Sequence, residues 1–128
     1  IMDHSEDSTE VLDTAMMIRN DNPQHFVEGI RRYMEIATPE ERKNNEAFID
    51  NLVKDNSTAL QAAGLAGRAR ILHEDGKGRD AAKTYVQIYS VDPKDHFTAP
   101  GLDAAIIIYR ELKINREAAD AMELRKKL

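Results

Sequence analysis

The chain has 128 residues, of which 41% are hydrophobic and 32% charged, and it contains no cysteine. This balance predicts one soluble globular domain, and the lack of cysteine excludes disulfides, thiolate metal sites and cysteine nucleophiles. Residues 1–21 hold six acids and one base, which is the whole net charge of −5, while 17 acids balance 17 bases in the remainder. We therefore expect no nucleic-acid footprint and, with no long apolar run, no direct membrane insertion.

The chain begins with Ile1 and shows no signal peptide, so we expect a processed protein or a piece of a longer one. The compartment stays open, with a preference for the cytoplasm. Residues 1–7 are acidic and polar, which predicts a flexible tail. Residues 8–128 are expected to form a single helical domain, because alanine is abundant and β-branched runs are rare.

The first predicted helix lies in "DSTEVLDTAMMIRN". Asp7 followed by Glu10 matches the capping-box pattern. One face repeats at helical spacing: Val11, Leu12, Ala15, Met16 and Arg19. The adjacent methionines, Met16 and Met17, either fill the core, which is the commoner role of Met, or meet another surface.

A capping residue followed by proline marks the start of each of the next two predicted helices: Asn22 with Pro23, and Thr38 with Pro39. Glu41 completes a capping box with Thr38. Both helices carry an apolar stripe, formed by Phe26, Val27, Ile30, Tyr33, Met34 and Ala37 in the first and by Phe48, Ile49, Leu52 and Val53 in the second. Their short connection predicts an antiparallel hairpin.

The fourth predicted helix begins after Asn56 or Ser57 and is crowded with small residues: Ala62, Ala63, Gly64, Ala66, Gly67 and Ala69. Each glycine inside a helix costs about 1 kcal/mol, which close approach by a neighbouring helix would offset. The fifth helix lies in "GRDAAKTYVQIYSVDP" and has a wide apolar arc, so we expect it to be covered on two sides. Pro93 marks its end.

After a predicted loop, "KDHFTAPG", the segments "LDAAIIIYRELK" and "NREAADAMELRKKL" predict a last helical pair. The total is about seven helices and no strand, since the strand-like "AAIIIY" is embedded in helix formers. Ile106, Ile107 and Ile108 cannot all face one core, because consecutive residues point about 100° apart on a helix. One of them is expected to meet another surface, either a neighbouring helix or a partner.

The stretch "GKGRDAAKT" invites comparison with a phosphate-binding loop, which needs two glycines around four residues and then Lys and Ser or Thr. Lys83 and Thr84 match the end of that motif. Lys77 and Ala82, however, occupy the two glycine positions, and the preceding "ARILHED" is typical of the end of a helix. We therefore interpret the stretch as a turn between two helices.

Residues 63–93 resemble one tetratricopeptide repeat, a helical hairpin of about 34 residues. The matching positions are Leu65, Ala69, Leu72, Gly76 in the turn, Ala81, Tyr85 and Pro93. A degenerate second repeat follows at an offset of 37 residues, with Tyr109 matching Leu72 and Ala118 matching Ala81. The resemblance covers the second half of the chain, and Arg68, Ile88 and Ile106 depart from the pattern.

The resemblance implies an all-α fold in which antiparallel helical hairpins stack as a short right-handed array. In that family the first helix of each repeat lines a concave groove. Here this face would carry Ala66, Arg70, His73, Asp103, Ile107 and Arg110. The two arginines are the best candidate ligand contacts, because a guanidinium can bind a carboxylate bidentately. The alternative is that Arg70 pairs with Glu74, and Arg110 with Glu111, on the surface.

No catalytic, cofactor or metal site is predicted, because the histidines lack metal-ligand spacing and the serines lack a nucleophile motif. We therefore expect a non-catalytic scaffold that binds a protein or peptide. Two alternatives stay open: an accessory or regulatory domain of a larger enzyme or membrane protein, and a homo-oligomer that associates through Ile106–Ile108.

Overall fold

The computed structural model describes residues 8–128, and within this range the chain is all-α, with no strand, as predicted. The predicted tail of residues 1–7 and the capping role of Asp7 lie outside the described residues. Eight helices follow one another: α1 (Ser8–Ile18), α2 (Pro23–Ile36), α3 (Pro39–Asn44), α4 (Glu46–Val53), α5 (Thr58–Glu74), α6 (Gly78–Val91), α7 (Thr98–Glu111) and α8 (Asn115–Lys126).

The helix starts predicted from capping residues are confirmed. The Asn22 side chain accepts a hydrogen bond from the His25 N–H at 3.2 Å, directly before α2. At α3 the Thr38 hydroxyl accepts from the Glu41 N–H at 3.2 Å, and the Glu41 carboxylate accepts from the Thr38 N–H at 3.1 Å. This reciprocal pair satisfies two donors that a helix N-terminus otherwise leaves free.

The third predicted helix is divided at Asn45 into α3 and α4. The Asn45 side chain donates to the Tyr33 hydroxyl at 2.9 Å and to the Glu41 carbonyl at 3.0 Å. The Glu41 carbonyl also accepts the Asn45 N–H at 3.1 Å, and the backbone of Asn45, at φ −108° and ψ 22°, departs from helical geometry. The division explains why the structure has eight helices where the sequence predicts about seven.

Helix α7 begins at Thr98, within the segment predicted to be a loop. Pro100 lies in its first turn, where a missing N–H removes no intrahelical hydrogen bond. Just before the helix, the Asp95 carboxylate accepts from the Phe97 N–H at 2.9 Å, and the Thr98 hydroxyl donates to the Asp92 carbonyl at 2.5 Å. These local bonds accompany the start of α7 at Thr98, whereas the sequence analysis predicts a loop through Gly101.

Helix α5 is central, since it packs against α2, α3, α4 and α6. Its small residues allow that close approach, as predicted: a Cβ on Gly64 would lie 2.8 Å from the Val53 nitrogen, and one on Gly67 would lie 2.8 Å from the Met34 sulfur. Helix α6 is covered by α5 and α7, which confirms the expectation of two covered sides. Helix α2 packs closely against α1 and α5, and it meets α4 through side chains around Gly67.

The hairpins α5–α6 and α7–α8 repeat one another at the offset of 37 residues noted in the sequence. Gly76 and Lys113 occupy equivalent turn positions and share a positive φ, of 81° and 61°. The N–H after each turn residue bonds back to the preceding helix, from Lys77 to the Leu72 carbonyl at 2.9 Å and from Ile114 to the Tyr109 carbonyl at 2.8 Å. This bonding is the Schellman ending of a helix, so both turns are built in the same way.

The exposed apolar residues correct one prediction and bear out another. Met16 and Met17 are 43% and 82% exposed, so the interpretation that they fill the core is wrong. Ile108 is buried, whereas Ile107 is 57% exposed, so the three consecutive isoleucines do point to different surroundings, as helix geometry requires.

Candidate functional site

A cavity of about 90 Å³ opens between α5 and α7, with α6 as its floor and α2 at one side. We call it the α5–α7 groove. Its lining residues are Met34, Ala66, Arg70, Tyr85, Phe97, Pro100, Gly101 and Ala104. The lining is apolar except for two groups that can donate hydrogen bonds, the Arg70 guanidinium and the Tyr85 hydroxyl.

Arg70 and Tyr85 form the polar corner of this groove. Tyr85 is buried, and burial raises the pKa of its phenol above the ordinary value. The positive charge of Arg70 opposes that rise in the pKa without cancelling it, so the hydroxyl stays protonated at neutral pH. A guanidinium has five N–H donors, and Arg70 is exposed, which leaves donors available to a ligand.

The carboxylate that the surface interpretation assigned to Arg70 is bound elsewhere. Glu74 accepts a hydrogen bond from Arg42 of α3. Arg42 is only 3% exposed, and its guanidinium also donates to the Ala37 carbonyl. Arg42 and Glu74 both lie close enough to influence Tyr85 electrostatically. Because Glu74 already pairs with the buried Arg42, Arg70 is the charged side chain that lines the groove, and it favours an anionic group.

Helix α2 is held beside the groove by two contacts with the α6–α7 connection. Arg31 lies 3.4 Å from the Asp95 carboxylate, and His96 Nε2 lies 2.9 Å from the Glu35 carboxylate. The Asp95 side chain is almost fully buried and also binds the Phe97 N–H. These contacts place Met34 and Phe97 on the groove wall.

The five residues predicted to bind a partner do not lie together. Arg70 lines the α5–α7 groove, and His73 is exposed one turn further along α5. Asp103 instead pairs with Arg125 of α8 at 2.8 Å, and the Arg110 guanidinium lies 3.3 Å from the sulfur of Met122, also on α8. The predicted concave face is thus divided, and the exposed Ile107 lies between its two parts.

Helix phase explains this division. Pro100 and Ala104 face α5 across the groove, whereas Ile106 and Arg110 line a second depression with residues of α8. Successive residues turn by about 100°, so positions 103 and 104 of α7 fall on different sides of Ile107. Their binding roles stay predictions.

Sequence reasoning did not assign Met34, Phe97 or Pro100 to the site. The sequence pattern places Met34 in the apolar stripe of its helix and predicts a loop at Phe97 and Pro100. Once α7 is known to begin at Thr98, the spacing of Pro100, Ala104 and Ile107 by four and three residues identifies one helix face. The sequence therefore contains the spacing that identifies this helix face, but the spacing becomes recognisable only when the helix is known to start at Thr98.

No protein-family model matches the chain, and comparisons with curated proteins and with solved structures find no match. Among residues 8–128, no three His, Asp or Glu side chains are grouped to hold a metal ion. In that same part of the chain, every helix is too short or too polar to cross a bilayer.

Proposed function

We propose that this protein is a non-catalytic scaffold of the tetratricopeptide-like kind, which binds a peptide segment of another protein in the α5–α7 groove. The observation that carries the proposal is the exposed Arg70 guanidinium at the edge of a preformed apolar cavity that Tyr85 also lines. A ligand that enters a preformed site loses less free energy to ordering of the protein than one that must fold its own site.

The shape of the groove supports an extended ligand. Short connections join α5 to α6 and α6 to α7, so α5 and α7 run in the same direction on either side of α6. Beyond the cavity, His73 and the exposed Ile107 continue the two walls. A peptide lying between the helices can therefore contact Arg70 and Ile107 together.

The size and charge of the cavity define what it accepts. A cavity of about 90 Å³ is smaller than the engineered apolar cavity of about 150 Å³ that holds benzene, so it suits one aliphatic side chain. Arg70 can bind a carboxylate with two parallel hydrogen bonds. We therefore propose a ligand in which an acidic group lies next to a small aliphatic residue.

The repeated hairpins support the tetratricopeptide-like part of the proposal. The α5–α6 and α7–α8 turns share backbone geometry and hydrogen bonds at a constant offset. Stacked repeats form a groove from equivalent helices, and α5 and α7 are equivalent here. The chemistry at the corner supports binding rather than catalysis, because a protonated phenol beside a guanidinium offers hydrogen-bond donors and no activated base.

The proposal can be tested with a phage-displayed library of random peptides selected on the immobilised protein. Selected peptides are then titrated by calorimetry into the wild type, Arg70→Glu and Ala104→Leu. We expect Arg70→Glu to weaken binding by roughly tenfold or more, because it replaces attraction by repulsion, and Ala104→Leu to block the cavity.

Arg116→Glu is the matched control, because Arg116 is an exposed residue of α8 and its replacement changes the net charge equally. It should leave the dissociation constant unchanged, and circular dichroism should show that all three variants fold. Peptides that bind the folded Arg70→Glu and Ala104→Leu variants as tightly as the wild type would overturn the proposal.

A further inference from the structure

The outer face of α1 is an acidic stripe with an exposed methionine. Glu10, Asp13 and Met17 are spaced by three and four residues, which aligns them on one face, and all three are exposed. The opposite face packs against α2, where Ala15 touches Gly29. Arg19 does not neutralise the stripe, because it lies 3.7 Å from Asp55 and stacks on Phe26.

A depression with the opposite charge lies between α7 and α8, and we call it the α7–α8 groove. It has a volume of about 290 Å³ and is lined by Ile106, Arg110, Met122, Arg125 and Lys126. Arg125 and Lys126 each have a carboxylate nearby, Asp103 and Glu123. The polar contact of Arg110 is the Met122 sulfur, so its charge stays available.

We propose that the α1 stripe of one copy of this protein docks in the α7–α8 groove of a second copy. Glu10 and Asp13 would face Arg110 and Lys126, and Met17 would pack on the apolar floor formed by Ile106 and Met122. A helix that lays one face into a groove is a recurring mode of recognition. This interaction goes beyond peptide binding in the α5–α7 groove and uses different residues.

Charge complementarity within the chain identifies a second copy as the occupant. Helix α1 carries −2, from two acids and no base, and residues 98–128 leave +1, since six bases oppose five acids. Charges of opposite sign on two surfaces steer association and fix its orientation. The two surfaces differ, so the contact is head-to-tail and builds rings or open chains rather than a closed two-fold dimer.

Analytical ultracentrifugation of the wild-type chain tests this inference. The monomer mass is 14.5 kDa, and we expect the weight-average mass to rise with concentration up to about 1 mM, where even a millimolar dissociation constant gives substantial complex. Salt at about 1 M should reverse the rise, because the screening length falls to about 3 Å. A wild type that stays at the monomer mass throughout would overturn the inference.

Charge exchange identifies the surfaces. Glu10→Lys with Asp13→Lys, and separately Arg110→Glu with Lys126→Glu, should each weaken association by roughly tenfold or more. An equimolar mixture of the two double variants should associate again, since each altered surface then meets its complement. Recovery in the mixture also shows that both variants are folded. Association of either double variant at the wild-type level, or no recovery in the mixture, would contradict the proposed contact.

The two proposals fail independently. Arg70→Glu should self-associate like the wild type, and Glu10→Lys with Asp13→Lys should bind the selected peptides like the wild type. Loss of self-association in the folded Arg70→Glu variant would place the contact in the α5–α7 groove and overturn the assignment to α7–α8.

Discussion

At the scale of single residues, the two equivalent turns differ in how well their residue suits a positive φ. Gly76 adopts φ 81° without a Cβ, whereas Lys113 adopts φ 61° with one. The left-handed conformation costs an ordinary residue roughly 1–2 kcal/mol. The second hairpin therefore contains a local cost that the first avoids.

Replacing Lys113 by glycine should stabilise the protein. The relief of the left-handed conformation exceeds the extra freedom that glycine gives to the unfolded chain, so we expect a gain of about 0.5–1 kcal/mol in the free energy of unfolding. Equilibrium urea unfolding measures it. Gly76→Ala is the reciprocal control and should destabilise by a similar amount, since a Cβ there would meet no atom within 4 Å and only the backbone cost changes. A loss of stability in Lys113→Gly would contradict this account.

The contact between Arg70 and Tyr85 should appear in the ionisation of the phenol. Burial raises the pKa of Tyr85, and the positive charge of Arg70 opposes the rise. Arg70→Met should therefore raise the pKa of Tyr85 further. Phenolate absorbance followed against pH measures the shift, and Tyr85→Phe identifies which of the four tyrosines is responsible. An unchanged Tyr85 titration would show that the two side chains are not coupled.

The same burial predicts how stability depends on alkaline pH. Burial also raises the pKa of Tyr33 and of Tyr109. A phenol whose pKa is higher in the folded than in the unfolded chain loses its proton at a higher pH in the folded chain. The free energy of unfolding should therefore be unaffected by these groups below about pH 10, the unfolded pKa, and fall above it.

At the scale of helices, the packing of α4 on α5 depends on Gly64 more than the packing of α2 depends on Gly67. An added Cβ at Gly64 would meet the Val53 backbone nitrogen, which cannot move without shifting α4. At Gly67 the nearest atom is the end of the flexible Met34 side chain. The two glycines therefore differ in how strictly the packing requires them, although both lie in α5.

Alanine substitutions separate these two packing requirements. Gly64→Ala should lower the free energy of unfolding by about 1–3 kcal/mol, which is typical of overpacking. Gly67→Ala should be close to neutral, because Met34 can adjust and alanine favours the helix by about 1 kcal/mol. Urea unfolding of both variants measures the difference, and equal losses would contradict the distinction between backbone and side-chain neighbours.

The helices that sequence predicted correctly are those with local signals. Asn22 and Thr38 accept hydrogen bonds within their own first turns, so nearby residues suffice to locate α2 and α3. The break at Asn45 coincides with a bond from its side chain to the Tyr33 hydroxyl of another helix, and a pattern of neighbouring residues does not predict such a contact. The start of α7 at Thr98 is accompanied by bonds of the Asp95 and Thr98 side chains, and the residue pattern of the predicted loop did not indicate them.

The candidate site was predicted only in part, because the orientation of α7 also depends on contacts with other helices. The repeat pattern predicts α5 and α7 as the walls of a binding groove, and Arg70 lines the cavity between them. It could not fix the rotation of α7 about its axis. That rotation is set by the packing of Leu102, Ala105 and Ile108, which are buried, and it directs Asp103 and Arg110 toward α8.

At the scale of the whole molecule, helices α1 and α2 are joined to the second half of the chain through α5 and the α6–α7 connection. Helix α2 packs on α5, and Arg31 reaches the buried Asp95 carboxylate. This ion pair links residues 64 positions apart. Opening of helices α1 and α2 should therefore be coupled to the conformation of the groove wall at Phe97.

Replacing Asp95 by asparagine should loosen α2 more than the repeated hairpins. Asparagine can still accept from the Phe97 N–H, so the start of α7 is kept, while the charge that holds Arg31 is lost. We expect the free energy of unfolding to fall by about 1–2 kcal/mol. A hydrogen bond to a charged group contributes somewhat more than this, but the Arg31 side chain is 30% exposed and can still be hydrated. Hydrogen exchange should show faster exchange in α2 than in α5 and α6, as expected for local opening.

Glu35→Gln provides the control for that measurement, because it removes the neighbouring His96 contact between two side chains that are both exposed by more than 40%. An exposed ion pair contributes little, at most about 1 kcal/mol, so exchange in α2 should change less than in Asp95→Asn. If Asp95→Asn instead accelerates exchange equally in all helices, α1 and α2 do not open separately, and the described chain unfolds as one cooperative unit.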